Sequence, residues 1–221
     1  MTVTSVEKPE SRETDSLALF RQIYKVNNDK AYLLVKRLFD VAASLIGGAV
    51  LLLPMALVAL LIWIESPGPV IYKQERLGKD GVSFMMYKFR SMYLDSEKDG
   101  PQWASVRDDR CTKVGRVIRM CHVDELPQLF NILRGEMSIV GPRPEREYFY
   151  NEFEKTIPHF RARLLVTPGL TGYAQINGGY DLTPEEKLAH DVIYMEKRCL
   201  WMDLVCIFKT FFHILDRKGV R

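Results

Sequence analysis

The sequence lacks an excess of charge of either sign. Its 221 residues include 31 Lys+Arg and 28 Asp+Glu, which gives a formal net charge of +3. A dedicated nucleic-acid-binding protein carries a basic surface large enough to show in this total, so that class is excluded. Hydrophobic residues make up 47% and charged residues 27%, which excludes a disordered or collagen-like chain and suits one folded unit.

Cysteine is also scarce, and the spacing of the cysteines predicts neither a redox site nor a metal site. The four cysteines form no C-x-x-C pair and, like the four histidines, show no metal-ligand spacing. We therefore predict that the cysteines are small apolar core residues of a protein in a reducing compartment. They are Cys111, Cys121, Cys199 and Cys206.

One stretch lacks charge entirely. No charged residue occurs at the 24 positions from Val41 to Ile64, and a helix of that length extends about 36 Å, enough to cross the core of a bilayer. The stretch follows forty residues of largely polar sequence and ends without a small-residue cleavage site, so it is not a signal peptide. It predicts one membrane segment.

The surroundings of this segment leave two topologies open. Five Lys or Arg residues lie at 21–40 and five more at 65–90, and positive charge beside a membrane segment favours the cytoplasmic side. Pro54, near the middle, removes a backbone donor and kinks a helix. The segment is therefore either an ordinary spanning helix with a kink, or a re-entrant helix, broken at Pro54, whose two ends share the cytoplasmic face.

The remainder of the chain predicts a helix-rich α+β domain. Residues 70–78 and 82–92 are typical of two strands joined by a turn at 78–81. The apolar stretch 199–215 contains Asp203, Lys209 and His213, so it predicts a helix in the membrane interface or one packed on the domain. Further helices are predicted at 111–120, 124–133, 145–160 and 184–197, and a polar loop at 95–109.

Two adjacent carboxylates, Asp124 and Glu125, begin the predicted helix 124–133. Pro127 is tolerated only in the first turn of a helix, which places Asp124 at or near the N-cap. Carboxylates are favoured there by capping and by the helix dipole, so they need no function. The alternative is catalytic, because a helix N-terminus keeps a nucleophilic carboxylate ionised while its neighbour holds Mg²⁺ against a diphosphate.

Several cations favour the catalytic interpretation. Each alone could be a surface charge or a contact to lipid headgroups, but together they indicate an anionic substrate, since the guanidinium fork suits phosphate oxygens. One of them is held between two prolines of fixed φ, and two share one side of a predicted strand by its two-residue period. They are Arg119, Arg143 between Pro142 and Pro144, and the strand residues Lys88 and Arg90.

A glycine-rich segment at 167–179 provides further candidates. Its glycines allow a ligand to approach the backbone closely, and Tyr173, Gln175 and Asn177 occupy alternate positions. The alternative is a plain β-turn followed by a short strand. His122, two residues before Asp124, is close enough in sequence to reach the same site.

These segments together resemble the bacterial sugar transferases, the monotopic polyprenyl-phosphate phosphoglycosyl transferases of exopolysaccharide and glycoconjugate biosynthesis. The resemblance covers about five-sixths of the chain, from Lys36 to the C-terminus. It consists of KRLFD (36–40), the apolar segment with Pro54, SPGPVIYKQERLGKDG (66–81), YKFRSM (87–92), DELPQLFNILRGEMSIVGPRPER (124–146) and PGLTGYAQINGGY (168–180).

The resemblance implies a fold and a location. It implies a polar leader at 1–30, a re-entrant membrane helix at 31–66 broken at Pro54, and a cytosolic catalytic domain at 67–221 with a small β-hairpin and interfacial amphipathic helices. The implied location is the cytoplasmic face of the bacterial inner membrane. Because only the leader precedes the membrane segment, the chain resembles a minimal catalytic core of the family.

The resemblance also implies a reaction. Asp124 would attack the β-phosphorus of a UDP-sugar, release UMP and carry the phosphosugar, which polyprenyl phosphate, usually undecaprenyl phosphate, would then accept. The implied catalytic and Mg²⁺-binding residues are Asp124 and Glu125, with Pro54, Pro142 and Pro144 as structural residues. The candidate substrate-binding residues are Arg119, Arg143, Lys88, Arg90, Gln175 and Asn177.

Two departures from the family pattern occur near these residues. Residues 120–123, Met-Cys-His-Val, replace a more usual small-polar or basic stretch that ends in Leu or Ile, and Asp109 stands where proline is common. Neither touches the Asp124–Glu125 dyad. Two rival hypotheses are a non-catalytic membrane adaptor with the same fold and a transferase that forms a ternary complex without a covalent intermediate.

Overall fold

A computed structural model of the chain describes residues 9–96 and 108–216. In these residues the fold is helix-rich α+β, as predicted. The strands are β1 (Ile71–Leu77), β2 (Ser83–Phe89), β3 (Ser138–Val140) and β4 (Gly169–Thr171). The helices are α1 (Pro9–Ile23), α2 (Lys30–Glu65), α3 (Lys113–Met120), α4 (Gln128–Arg134), α5 (Glu147–Glu154), α6 (Tyr173–Ile176), α7 (Pro184–Lys197) and α8 (Leu200–Asp216).

The apolar segment lies in α2, a single helix of 36 residues that continues through Pro54. The predicted division into two helices at Pro54 is therefore wrong for the backbone. Proline removes only its own N–H from the helical pattern, and the hydrogen bonds on either side carry the helix past it. Asp29 begins the helix, since its side chain accepts a hydrogen bond of 2.7 Å from the amide of Tyr32.

The apolar surface of α2 faces outward. Its most apolar stretch has a mean hydropathy of 2.7 and is only 6% buried, so α2 is not the core helix of a soluble domain. By length and composition it is able to cross a membrane. Large side chains exposed along it include Leu38, Ile46, Val50, Leu53, Leu57 and Ile64.

The first turns of α2 dock on the domain through a buried polar network. The ammonium of Lys36 lies 3.0 Å from Oδ2 of Asp203 in α8, and the hydroxyl of Tyr32 donates to the same oxygen at 3.0 Å. The other oxygen of Asp203 accepts a hydrogen bond of 2.8 Å from the hydroxyl of Tyr194 in α7. Lys36 and Asp203 are only 8% and 6% exposed, so this ion pair is largely removed from solvent.

Two neighbouring residues of the same KRLFD segment extend this contact. Arg37 donates to the carbonyl groups of Ile132 (2.6 Å) and Leu133 (2.8 Å), which lie in the last turn of α4. Asp40 accepts a hydrogen bond of 3.0 Å from the amide of Ile139 in β3. The segment therefore attaches α2 to three different elements.

The C-terminal end of α2 contacts the same domain. The carboxylate of Glu65 accepts hydrogen bonds from the amides of Lys113 (2.7 Å) and Val114 (2.8 Å), in the first turn of α3. One turn earlier, Ile62 is buried in a cluster with Ile118 of α3. Both ends of α2 are thus fastened to one folded unit.

Two small sheets hold the segments around the site. β1 and β2 form the predicted antiparallel hairpin, with Ile71 opposite Phe89 and Leu77 opposite Ser83. β3 and β4 form a parallel pair that the sequence did not indicate, because three residues are too few for a periodic pattern.

The backbones beside β3 and β4 approach each other very closely. A Cβ atom at Gly169 would lie 2.0 Å from the nitrogen of Gly141, so a side chain there would collide with the backbone. The amide of Gly169 donates to the carbonyl of Pro142 at 2.9 Å. These glycines bring the start of the loop 142–146 against the start of β4.

Other predictions meet mixed outcomes. The helices predicted at 111–120 and 184–197 are confirmed as α3 and α7. The one predicted at 145–160 is shorter, because α5 ends at Glu154 and a 3₁₀ helix follows at Phe160–Leu165. Within 1–30, α1 is a peripheral helix that buries Leu17 and Phe20 in the largest core cluster. Most of the predicted loop 95–109 lies outside the described residues.

The cysteine prediction is half right. All four cysteines are free thiols. Cys111 and Cys206 are buried, but Cys121 and Cys199 are exposed, since they lie beside helix ends rather than on the inner faces of helices.

We expect Lys36→Met to destabilise the fold, because it leaves the Asp203 carboxylate buried without its cation. Breaking one partner of a buried ion pair costs about 3–5 kcal/mol, which lowers the thermal midpoint on the order of 10 °C. Unfolding in detergent, followed by circular dichroism, measures the shift.

Arg134→Ala is the matched control for this variant. The Arg134 side chain is 51% exposed in its pair with Glu136, so its loss should change stability by less than about 1 kcal/mol. Equal shifts in the two variants would show that the Lys36 contact contributes no more than a surface pair.

Candidate active site

A cavity of about 1190 Å³ opens between the hairpin, the loop 142–146 and helices α6, α7 and α8. Such a volume exceeds that of most small-ligand pockets. Among the described residues, eight cations and four carboxylates line it, an excess of four positive charges in a chain whose total is +3. They are Arg76, Lys88, Arg90, Arg119, Arg143, Arg146, Arg163 and Lys187, with Asp124, Glu125, Glu145 and Asp181.

The dyad lies on a 3₁₀ turn, Val123–Glu125, that separates α3 from α4. The prediction that Asp124 caps a continuous helix is wrong. Pro127 has no N–H to donate to the carbonyl of Val123, which an α-helix would require, and Leu126 donates to it instead at 3.2 Å. The α-helical pattern therefore starts only after Pro127, which occupies the N-cap of α4.

Glu125 is held by two cations. Its Oε1 lies 3.0 Å from the ammonium of Lys88 and 2.5 Å from Nη2 of Arg143, whose Nη1 lies 3.3 Å from Oε2. Burial alone would raise the pKa of Glu125, but Arg143 and Lys88 outweigh burial and hold the pKa well below its usual range. Glu125 is thus a fixed anion that binds cations and does not exchange protons near neutral pH.

Asp124 differs from its neighbour. It is only 7% exposed, yet its carboxylate accepts no hydrogen bond from the described part of the chain. Burial, followed by the negative charge of Glu125, raises the pKa of Asp124 to about 6, while the nearby cations, chiefly Lys88 and Arg119, oppose the increase. At pH 7 the group is mostly ionised and its oxygens are uncommitted, as a nucleophile requires.

A buried asparagine ties the dyad to Lys88. Asn131 of α4 is fully buried, and its Nδ2 donates to the carbonyl of Met85 and to the carboxylate of Glu136, both at 2.7 Å. Its Oδ1 accepts from the amide of Tyr87 at 3.1 Å. The helix that follows the dyad is therefore bonded to the strand that carries Lys88.

The loop of Arg143 is held by two further arginines. Arg76 of β1 donates to the carbonyl of Pro144 at 3.2 Å. Arg163 donates to the carbonyl of Arg143 at 3.1 Å and lies 2.6 Å from Asp191 in an ion pair whose side chains are each 1% exposed. Both contacts fix the main chain, so the Arg143 side chain keeps its direction towards Glu125.

The other predicted phosphate ligands line the cavity without bonding to the dyad. Arg119 donates to Sγ of Cys111 at 2.9 Å. Arg90 donates to the carbonyl of Ser66, at the C-terminus of α2, and is 5% exposed. His122 also lines the cavity, and burial lowers its pKa below the usual value.

The segment after β4 is helical. Residues 173–176 form α6 and not the short strand that the sequence left open, because the amide of Ile176 bonds back to the carbonyl of Gly172. Gln175 and Asn177 both line the cavity. The two amide atoms of Gln175 are buried and find no partner in the described ranges, whereas Asn177 is exposed and donates to the carbonyl of Tyr173 at 2.8 Å.

The dyad offers oxygen ligands to a divalent cation. No group of three or more His, Cys, Asp or Glu residues suited to a metal occurs among the described residues. Mg²⁺, however, is often bound by one or two carboxylates together with substrate phosphates. From the residues that the structure describes, Oε2 of Glu125 accepts only the 3.3 Å bond and Asp124 accepts none. Both therefore retain lone pairs, and the donor set fits Mg²⁺.

Four cavity cations were not singled out by the sequence. Nothing in the spacing of Arg76, Arg146 or Lys187 distinguishes them from surface charges. Arg163 has one local signal, since it lies among apolar residues in the segment FRARLL. The contribution of α8 to the cavity wall, through Ile207, Thr210, His213 and Ile214, was also not predicted.

Comparison with known proteins agrees with the resemblance. The model of the bacterial sugar transferase family matches residues 31–217. A UDP-N-acetylgalactosamine-undecaprenyl-phosphate N-acetylgalactosaminephosphotransferase of Aeromonas hydrophila is 43% identical over 193 residues, which cover 86% of this chain and 46% of that protein. A UDP-glucose:undecaprenyl-phosphate glucose-1-phosphate transferase of Caulobacter vibrioides is 41% identical over 182 residues, 79% of this chain and 67% of that protein.

A third relative is matched over nearly its whole length. The exopolysaccharide production protein PSS of Rhizobium leguminosarum bv. phaseoli is 39% identical over 197 residues, 85% of this chain and 98% of that protein. The chain thus spans about half of the Aeromonas relative and almost all of the Rhizobium one.

The environment of Asp124 predicts its titration. Its carboxyl should be modified by a carbodiimide, which reacts with the protonated form, with a midpoint near pH 6. Lys88→Met should move the midpoint to higher pH, because it removes a cation that favours the ionised form. Mass spectrometry of the labelled peptide measures both values.

Lys79→Met serves as the control, since Lys79 is an exposed cation in the hairpin turn. It should leave the midpoint unchanged. A wild-type midpoint near 4, the ordinary value for aspartate, would contradict the described surroundings of Asp124.

Proposed function

Because the chain belongs to the bacterial sugar transferase family, we propose that it transfers a sugar 1-phosphate from a UDP-sugar to undecaprenyl phosphate. The names of the Aeromonas and Caulobacter relatives support both substrate classes. One observation carries the proposal. Asp124 has uncommitted oxygens beside Glu125, which Lys88 and Arg143 hold as a fixed anion in a cavity with excess positive charge.

In the first step, an oxygen of Asp124 attacks the β-phosphorus of the UDP-sugar. An Asp124 oxygen–phosphorus bond forms, the bond from that phosphorus to the bridging oxygen breaks, and its electron pair leaves with UMP. The ionised state of Asp124 at pH 7 supports this role. Lys88 and Arg143 would orient the diphosphate, since phosphoryl transfer depends mainly on positioning and charge.

In the second step, an oxygen of undecaprenyl phosphate attacks the phosphorus of the phosphosugar–Asp124 intermediate. The new oxygen–phosphorus bond yields undecaprenyl-diphosphosugar, and the electron pair of the broken bond returns to the Asp124 carboxylate. The acceptor needs no general base, because a phosphate monoester is largely deprotonated at pH 7. The low pKa of Glu125 agrees with a role in binding instead of proton transfer.

Asp124 and Glu125 would hold Mg²⁺, for which their free lone pairs are suited. When bound, the ion would neutralise charge on the diphosphate as a Lewis acid. The remaining proposed substrate ligands are Arg119, Arg90, Gln175 and Asn177, all of which line the cavity.

The proposed topology is a re-entrant α2 with the domain on the cytoplasmic face of the inner membrane. Lys36 and Glu65, near the two ends of α2, both bond to the same domain. A helix that spanned the bilayer would place these ends about 30 Å apart on opposite sides, where one water-exposed domain would not reach both. The contacts therefore support two ends on one face, with α2 entering the membrane as a continuous helix that bends at Pro54 instead of breaking there.

Helix α8 supports a second contact with the membrane. One of its faces is apolar and exposed, while Ile207, Thr210 and His213 on another face line the cavity. An amphipathic helix of this kind suits the interface, and it would place the cavity beside the headgroups of the lipid substrate. The exposed side chains are Leu200, Trp201, Leu204, Phe208 and Phe211.

The reaction predicts a covalent adduct. Purified protein incubated with a labelled UDP-sugar, without lipid, should retain label and release UMP, and Asp124→Asn should lower both by at least about 10³-fold, as loss of a covalent nucleophile does. Mass spectrometry should place the adduct on Asp124. A panel of UDP-glucose, UDP-galactose and UDP-N-acetylhexosamines tests several donors at once.

Asp80→Asn is the matched control, because Asp80 is exposed in the hairpin turn at φ 58°, a conformation that asparagine accepts. It should retain full labelling. Absence of label and of UMP with every donor would support the non-catalytic adaptor, whereas turnover with intersecting-line kinetics and no adduct would support the ternary-complex rival.

The topology predicts equal accessibility of the two ends of α2. In a variant whose exposed Cys121 and Cys199 are replaced by serine, Lys30→Cys and Pro67→Cys should react with an impermeant maleimide from the same side of sealed vesicles. Leu53→Cys, at a position 81% exposed in the structure, should be protected by lipid. Labelling of the two end positions from opposite sides would establish a spanning helix instead.

A further inference from the structure

Four cations of the cavity have no part in the reaction described above. The charges that shift the pKa values of the dyad come chiefly from Lys88, Arg119 and Arg143. The other four surround the loop 142–146 and come from separate elements. They are Arg76 of β1, Arg146 at the end of the loop, Arg163 of the 3₁₀ helix and Lys187 of α7.

Two of these residues have buried donors without a partner. Arg163 is 2% exposed, and two of its nitrogens bond to Asp191 and to the carbonyl of Arg143, but Nη1 has no partner in the described part of the chain. Nε of Arg76 is likewise buried and unpaired. An unsatisfied buried N–H is destabilising, and both side chains line the cavity, so an anion there would satisfy them.

The charge around these donors is predominantly positive. Glu145 pairs with Arg76 and Asp191 pairs with Arg163, and Asp181 also lines the cavity. Burial lowers the pKa of Lys187, and the nearby Arg163 lowers it further, while Glu145 opposes the change. A cleft lined mainly by cations raises the local concentration of anionic ligands.

The position of Arg76 favours a ligand from water over one from the membrane. Ile71, at the start of β1, packs in the cluster around Ile62 of α2. Leu77, at the other end, packs in the core cluster of Phe160 and Leu164. Arg76 is five residues beyond Ile71, about 17 Å along the strand, so this residue lies away from the C-terminal end of α2.

We propose that Arg76, Arg146, Arg163 and Lys187 form a second phosphate subsite, which binds the phosphate of the nucleoside monophosphate that leaves the dyad. The inference rests on the proposed function. A phosphate monoester at this place would compensate the excess charge and accept the unpaired N–H groups of Arg163 and Arg76, and it would stabilise the leaving group as the bond to the β-phosphorus breaks.

Equilibrium binding of UMP and uridine to the full chain in detergent tests the subsite. Isothermal titration calorimetry should show that wild type binds UMP more tightly than uridine. Lys187→Met and Arg146→Gln should each weaken UMP binding about tenfold, because one charge-assisted contact is lost, and should leave the uridine affinity unchanged. Lys197→Met, an exposed cation on the same helix as Lys187, should alter neither.

The KM for undecaprenyl phosphate shows whether the phosphate monoester bound at the subsite belongs to UMP or to the lipid. If the variants raise this KM and bind UMP like wild type, the subsite holds the lipid phosphate and the assignment is overturned. UMP binding and lipid KM that both match wild type also overturn it. Arg163→Lys, accepted only if it melts cooperatively, should show the same loss of UMP affinity.

A separate result distinguishes failure of the function from failure of the subsite. If wild type releases no UMP from any UDP-sugar, the proposed transferase reaction fails. If wild type releases UMP while the variants bind UMP as tightly as wild type does, the reaction stands and the second subsite alone is wrong.

Discussion

The ion pairs of Glu125 with Lys88 and Arg143 are the contacts on which the rest of the site depends. Two adjacent buried carboxylates repel each other, and without these cations burial and repulsion would raise the pKa values of the pair. Because both cations form ion pairs with Glu125, Asp124 is left as an anion with free oxygens. The surrounding bonds, from Asn131 behind the strand and Arg163 behind the loop, keep the two cations in place.

Polar contacts also hold α2 against the domain. Lys36, Arg37 and Asp40 all bond inward, to α8, α4 and β3, so the outward face of α2 presents apolar side chains to its surroundings. The helix is consequently part of the folded domain and not a tether beside it. These contacts fix the apolar surface of α2 relative to the cavity that contains Asp124.

Features determined by near neighbours in the sequence could be predicted, and those determined by tertiary contacts could not. The hairpin and α7 follow from alternation, turn residues and a proline at the helix start, all of which act locally. Asp124 and Glu125 were singled out by their chemistry, but the 3₁₀ turn depends on the missing N–H of Pro127, which a helical pattern does not reveal. Arg163 and Asp191 are 28 residues apart, and each resembles an ordinary surface charge until the fold buries them together.

The bond from Glu65 to the first turn of α3 has a geometric consequence. Helix α3 is eight residues long and leads directly into the turn that carries Asp124. This short helix therefore connects Glu65, the last residue of α2, to the proposed nucleophile. In the proposed topology the length of α3 sets the distance of Asp124 from the lipid surface. A lipid phosphate would then meet the carboxylate at a constant depth, without its chain leaving the leaflet.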